Sequence, residues 1–221
     1  PEVRTHITYN ALKDRVTRVD LGQTPAQRST GYTRNANQTA LLSKTDLDNN
    51  LPTSYVYDHA GRRTAVDEAG LRKTETIYDD INRKVTVKSD LKGYSDGKLQ
   101  SITHYDQLGR VKLVQKSDGA ALINETDGIK ATTRQEYFTG GRRVVASTPY
   151  RDLTDPTLEW TCTEQDLLGR VTKVGTFKGS TAPADCSSAT NRTGLTTTQY
   201  DSEWTTVTDP AGKVRKQKRD A

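Results

Sequence analysis

The chain has 221 residues and carries 33 Lys and Arg against 28 Asp and Glu, a net charge of +5. Only 32% of its residues are apolar, with two Phe, no Met and a mean hydropathy of −0.82. That composition excludes a thick two-layer core, and no apolar run approaches the roughly 20 residues of a membrane-spanning helix. Thirty-four Thr and ten Tyr favour strands over disorder, in a sheet that buries little on each face.

The tyrosines set a register along the chain. Tyr9-Asn10-Ala11-Leu12 opens it, followed by Tyr32-Thr33-Arg34-Asn35-Ala36-Asn37. Both are weak forms of a motif that is complete at Tyr57-Asp58-His59-Ala60-Gly61-Arg62 and again at Tyr105-Asp106-Gln107-Leu108-Gly109-Arg110. Between these two, Tyr78-Asp79-Asp80-Ile81-Asn82-Arg83 carries Asn in the Gly slot. Tyr137-Phe138-Thr139-Gly140-Gly141-Arg142 matches with a shift of one, and Gln165-Asp166-Leu167-Leu168-Gly169-Arg170 has Gln for Tyr. Tyr200-Asp201 starts a last copy that diverges. The starts at 9, 32, 57, 78, 105, 137, 165 and 200 lie 21 to 35 residues apart, so the motif is a repeat.

Each copy reads as strand end, turn, strand start. A type I turn followed by a residue of positive φ wants Gly, and Asn is the next most tolerant residue. Asp accepts a hydrogen bond from a turn N–H, and Tyr lays its ring on the sheet with its hydroxyl at a wet edge. Gly61, Gly109 and Gly169 are therefore expected at positive φ, as is Asn82. A second set of turns alternates with the first: Asp46-Leu47-Asp48-Asn49-Asn50, Asp67-Glu68-Ala69-Gly70, Asp127-Gly128 and Asp209-Pro210-Ala211-Gly212. The units are strand, turn, strand, turn, an antiparallel meander of hairpins. Strands such as Arg110–Gln115 carry polar residues on both faces, which predicts a single-layer sheet with a modest apolar seam.

The tandem Tyr-Asp-x-x-Gly-Arg signature at 57–62 and 105–110, its variants at 78–83 and 165–170, and the Asp-x-x-Gly turns between them resemble the YD or Rhs repeat. Val207–Lys213 is similar to a stretch between two such repeats, and Arg219-Asp220-Ala221 to the opening of one more. The resemblance covers 31–221 as one continuous β-repeat domain, with 1–30 a divergent repeat. It implies an all-β fold of consecutive antiparallel hairpins in a curved single-layer sheet, part of a spiral shell. Such shells occur in bacterial Rhs effectors, in the C-component of toxin complexes and in teneurins, and in the bacterial cases they enclose a C-terminal toxin. The chain itself contains neither the core region nor the toxin domain. Its opening PEVRTH and closing RKQKRDA read as interior sequence of a longer protein, which the resemblance makes secreted or displayed at the cell surface.

Competing chemistry is weak. His6, His59 and His104 have no His-x-x-His or Glu-x-x-His spacing, and no catalytic set converges. Asp46–Asn50 begins like a calcium loop but has Leu51 where Gly belongs and Tyr57 where a bidentate Glu belongs. Gly140-Gly141 is a turn, not a phosphate loop. The basic tail Lys213–Arg219 lacks the spaced aromatics of a single-strand binder and reads as a solvated strand face, so no nucleic acid is expected. Asn37-Gln38-Thr39, Asn124-Glu125-Thr126 and Asn191-Arg192-Thr193 read as chance sequons in a Thr-rich chain. Cys162 and Cys186 are the one candidate disulfide. With a turn centred near Leu167-Leu168, Cys162 faces about Lys173, so a bridge needs the loop 179–194 to fold back; both outcomes stay open.

The expected function is structural: a wall segment that takes no cofactor, catalyses no reaction, and has neighbouring repeats and a C-terminal cargo domain of its parent as partners. An extracellular carbohydrate- or protein-binding adhesion module is the alternative. Eight units give about sixteen strands and an arc of roughly 77 Å, too short to close around a 100-residue cargo about 34 Å wide. The expectation is an open stretch of wall whose free edges drive edge-to-edge self-association.

Overall fold

A computed structural model of the chain describes residues 5–22, 28–117, 119 and 131–218. The turn expected at Asp127-Gly128, the sequon at Asn124 and the closing Arg219-Asp220-Ala221 lie outside the described residues. The fold is all-β, with seventeen strands in the described residues and a single turn of 3-10 helix. Two compact units divide it, one comprising 1–80 and 85–101, the other 81–84 and 102–221.

The first unit runs β1 (Thr5–Tyr9), β2 (Val16–Leu21), β3 (Arg28–Arg34), β4 (Leu41–Asp46), β5 (Leu51–Tyr57), β6 (Arg63–Glu68) and β7 (Arg72–Asp79). It also holds most of β8 (Lys84–Ser89) and the start of β9 (Leu99–Tyr105). From β1 to β7 each strand pairs antiparallel with the next in sequence. No buried apolar side chain marks this unit among the described residues; its buried groups are polar, Asp20, Ser29 and Gln100. Hydrogen bonds organise its long loop. Asp96 accepts from the N–H groups of Leu91, Lys92 and Gly93, each at 3.0 Å, and Asp90 accepts from Lys73 N–H at 2.7 Å and Ser95 N–H at 2.8 Å.

The second unit continues through β10 (Val111–Lys116), β11 (Ala131–Phe138), β12 (Arg143–Ser147), β13 (Glu159–Gln165), β14 (Val171–Lys178), β15 (Arg192–Asp201), β16 (Trp204–Thr208) and β17 (Val214–Lys218). Here too, from β10 to β17, sequence neighbours pair antiparallel.

The expected single layer with a modest seam holds except on one face of β12, β13 and β14. Register places Val145 opposite Cys162 and Cys162 opposite Gly175, with Ser147, Trp160 and Phe177 aligned one step along. All therefore project from the same side of the pleat. Val145, Trp160, Cys162 and Phe177 are at most 1% exposed, because two loops fold over them. The loop 148–158 brings Tyr150 and Leu158, and the loop 179–191 brings Cys186 and Ala182. Cys162 and Cys186 form a disulfide with Cα atoms 5.1 Å apart. Gly175 makes this approach sterically feasible, since a Cβ there would lie 2.5 Å from the Cys186 carbonyl oxygen. The long loop thus does fold back.

Candidate functional site: the interlocked corners

The repeated motif builds one geometry three times. At 57–62, Asp58 N–H donates to the Arg62 carbonyl at 2.9 Å and Gly61 N–H to the Asp58 carbonyl at 3.0 Å. The Asp58 Oδ1 accepts from the N–H groups of Ala60 and Arg62, both at 2.9 Å, while Oδ2 accepts from Arg62 Nε at 2.7 Å. Asp106 and Asp166 repeat this pattern with Leu108 and Arg110, and with Leu168 and Arg170, and each Nε–Oδ2 distance is again 2.7 Å. One carboxylate thus satisfies the turn donors and fixes the arginine that closes the turn. Gly61, Gly109 and Gly169 lie at φ of 77°, 76° and 77°, the left-handed region in which a Cβ is strained.

Electrostatics follow from these contacts. The Arg62 guanidinium holds the Asp58 and Asp80 carboxyls below the usual carboxylate range. Asp166 is lowered by the Arg170 backbone N–H and then its guanidinium, against the opposing effect of partial burial. At Asp106 desolvation is the largest single effect and pushes upward, but the Arg110 N–H, the Arg110 guanidinium and the Leu108 N–H together outweigh it. These carboxylates are anionic caps, the opposite of a poised general acid.

Tyr and Arg act at longer range than the sequence pattern implies. The Tyr78, Tyr137 and Tyr200 hydroxyls donate to the carbonyls of Arg63, Val111 and Val171, at 3.2, 2.9 and 2.9 Å. Each acceptor is the residue just after the arginine of the preceding corner. That same arginine stacks on the tyrosine ring: Arg62 over Tyr78 at 4.2 Å, Arg110 over Tyr137 at 4.1 Å and Arg170 over Tyr200 at 4.4 Å from the centroid. The planar guanidinium suits such stacking while its Nε stays on the carboxylate. Tyr57 donates likewise to the Leu41 carbonyl at 2.9 Å, where the preceding corner has Ala40 in the arginine place and no stack forms. The tyrosine therefore bolts its own hairpin to the previous corner.

Three sequence assignments need correcting. At 78–83 the positive φ falls on Arg83 (51°) and not on Asn82, since the turn closes one residue later than in the glycine corners. In the second copy the role of Asp belongs to Asn35, whose N–H donates to the Ala40 carbonyl at 3.0 Å. Arg34, not Tyr32, pairs across the corner, with Leu41. This loop and the one at Asn10 are one residue longer than the aspartate corners. In both, the carboxamide accepts from two backbone N–H groups and its Nδ2 donates to Thr39 Oγ1 or Asp14 Oδ1 at 2.9 Å, a bond that aspartate cannot make. Finally, Asp209–Gly212 is no separate turn type. Asp209 N–H meets the Lys213 carbonyl, its Oδ1 caps Ala211 and Lys213, and Gly212 has φ 78°.

Other expected turns differ in detail. Asp67 lies in β6 and caps Gly70 N–H at 3.2 Å, with positive φ at both Ala69 and Gly70. Residues 139–141 form the short 3-10 turn, with Thr139, Gly140 and Gly141 all at positive φ. Gly141 leaves room for the neighbouring corner: a Cβ there would sit 2.9 Å from Arg110 Nη1. Asp79 sits at the end of β7, and Asp201 pairs with Trp204 across the two residues Ser202-Glu203.

The structure brings no catalytic constellation together around the histidines. His59 is at a corner tip, His104 is in β9, and His6 Nδ1 lies 3.7 Å from Asp20 Oδ2. Among the described residues no three His, Cys, Asp or Glu side chains are grouped to hold a metal ion. Asp46 in the calcium-like stretch caps Asp48 and Asn49 N–H at 3.0 and 3.3 Å. Trp160, Gly175 and Phe177 escaped the sequence reading, although their alternation with Cys162 on paired strands was a usable signal.

No protein-family profile matches the chain, and no curated protein does. Solved structures are similar to it. The crystal structures of TcdB2-TccC3 and of TcdB2-TccC3-Cdc42 each match at 15% identity with a TM-score of 0.44, over 89% and 90% of this chain. The chain spans 12% of the length of those proteins.

Proposed function

We propose that this chain is a structural wall segment of a YD/Rhs-repeat shell, which in its parent protein encloses a C-terminal toxin or effector domain. The observation that carries the reading is the interlock. The arginine of one corner clamps the tyrosine of a later hairpin, at 4.2, 4.1 and 4.4 Å for 62/78, 110/137 and 170/200. Such a device extends a sheet hairpin by hairpin without needing a second layer, as a thin wall requires. The resemblance of the motif to YD repeats supports the same reading, and the buried disulfide supports a parent exported to an oxidising compartment. The partners of the wall are then the adjoining repeats and the enclosed domain, and isolated wall segments associate through their strand edges.

Limited proteolysis of the full parent protein tests this. A domain downstream of the repeats should resist protease in the native protein and become cleavable when Arg110 and Arg170 are both changed to Ala. Equal sensitivity before and after the change, or a parent with no enclosed domain, sinks the proposal.

A further inference from the structure

The thirteen residues from Gly179 to Asn191 join β14 to β15 and lie over the buried face of β12–β14. Hydrogen bonds anchor this segment at its ends. Trp160 Nε1 donates to the Gly179 carbonyl at 2.9 Å, Gly179 N–H to the Leu158 carbonyl at 3.3 Å, and Lys178 N–H to the Asn191 carbonyl at 2.9 Å. Past its middle the bonds are local: Ser187 N–H to Asp185 Oδ1 at 2.6 Å and Arg192 Nη1 to the Ser187 carbonyl at 2.8 Å. What holds the middle against the sheet is the packing of Ala182, the burial of Pro183 and the bond from Cys186 to Cys162. The apolar area of an alanine and a proline does not offset the entropy of ordering thirteen residues. The covalent bond therefore decides whether the segment stays down.

We propose that residues 179–191 form a redox-released lid: the Cys162–Cys186 bridge closes it over Trp160 and Phe177, and a dithiol reductant frees it. In the balanced step, a thiolate of the dithiol attacks one cysteine sulfur and the other leaves as a thiolate. The second thiol of the reductant then displaces the first cysteine. Two electrons and two protons pass to Cys162 and Cys186, and the reductant ends as its own disulfide. Both cysteines are fully buried, at 0% exposure, so the attacking thiolate reaches a sulfur only when the backbone beside Cys186 opens locally with the bridge still intact. The bridge is thus shielded while the lid is down, and once reduced it no longer pulls the lid back. Opening uncovers Trp160, Phe177 and Leu158, each only 1% exposed in the closed form, as a new apolar surface.

The test uses the whole 221-residue chain and dithiothreitol. Thiol release should follow opening kinetics, with a rate that levels off as dithiothreitol rises. Gly175→Ala should raise that plateau severalfold, because its methyl group would press on the Cys186 carbonyl. In the reduced protein, trypsin cleavage at Lys178 and Arg192, mapped by mass spectrometry, should speed up at least tenfold while far-UV circular dichroism is unchanged. The Cys162→Ala/Cys186→Ala double variant should behave as the reduced protein does without any reductant. A release rate that stays linear in dithiothreitol, or cleavage unchanged by reduction, overturns the lid. So does loss of the strand signal on reduction or in the double variant, which would make the bridge a staple of the whole unit.

Discussion

Within each corner the work is divided between local and distant contacts. Asp and Gly act locally: the carboxylate caps its own turn and the glycine takes the backbone conformation that closes it. Gly109 at φ 76° has nothing within 4 Å of a hypothetical Cβ, so substitution there tests backbone strain without steric clash. Gly109→Val should lower stability by about 1 kcal/mol or more, read as a reduced urea midpoint at unchanged slope. The carboxylates give a second test. Asp58, Asp106 and Asp166 are all shifted below their ordinary values in the folded chain. Their contribution is therefore intact above about pH 5 and is lost as the pH falls through the lowered folded values. Urea midpoints measured from pH 7 down to pH 3 should fall, and Asp106→Asn/Asp166→Asn should fall less steeply over the same range.

At the level of the hairpin, the sequence was legible wherever the physics is local. The Asp-x-x-Gly-Arg turns could be read because cap, positive φ and closing arginine lie within five positions. The interlock could not, because its partners are 15 to 29 residues apart and nothing in a single repeat marks them. The misplaced register at Tyr32 has a related cause. Counting from tyrosines hides a loop one residue longer, whereas counting from the capping Asn35 would have shown it. The covered face of β12–β14 was hidden by the low apolar content, which argued correctly for most strands and wrongly for these three. Tyr200→Phe probes the interlock, since it keeps the ring under Arg170 and removes the hydroxyl that bonds Val171. It should cost about 0.5–1.5 kcal/mol by chemical denaturation. Arg170→Lys should weaken the same hairpin by removing the planar stack. A Tyr200→Phe chain as stable as the parent would show that the hydroxyl bond is replaced by water at no loss.

Across the molecule, apolar burial is concentrated rather than spread. Every buried apolar side chain among the described residues falls between Val145 and Cys186. The first unit relies on strand ladders and carboxylate-capped loops. Amide hydrogen exchange should therefore be slowest in β12, β13 and β14, and faster by orders of magnitude in β1 to β4. Uniform protection along the chain would mean that the ladders alone set stability. The direction of the interlock carries a further consequence. In the three interlocked pairs 62/78, 110/137 and 170/200 the arginine precedes its tyrosine, by 16, 27 and 30 residues. A ribosome adding about 5–20 residues per second delivers the tyrosine roughly 1–6 seconds after the corner it will lock. Each of these three corners thus emerges unfinished and is secured only by the synthesis that follows, so the interlocks close one way, from the N-terminal side onward. A pause in translation placed just before codon 137 or 200 would hold the newest corner in its unlocked form.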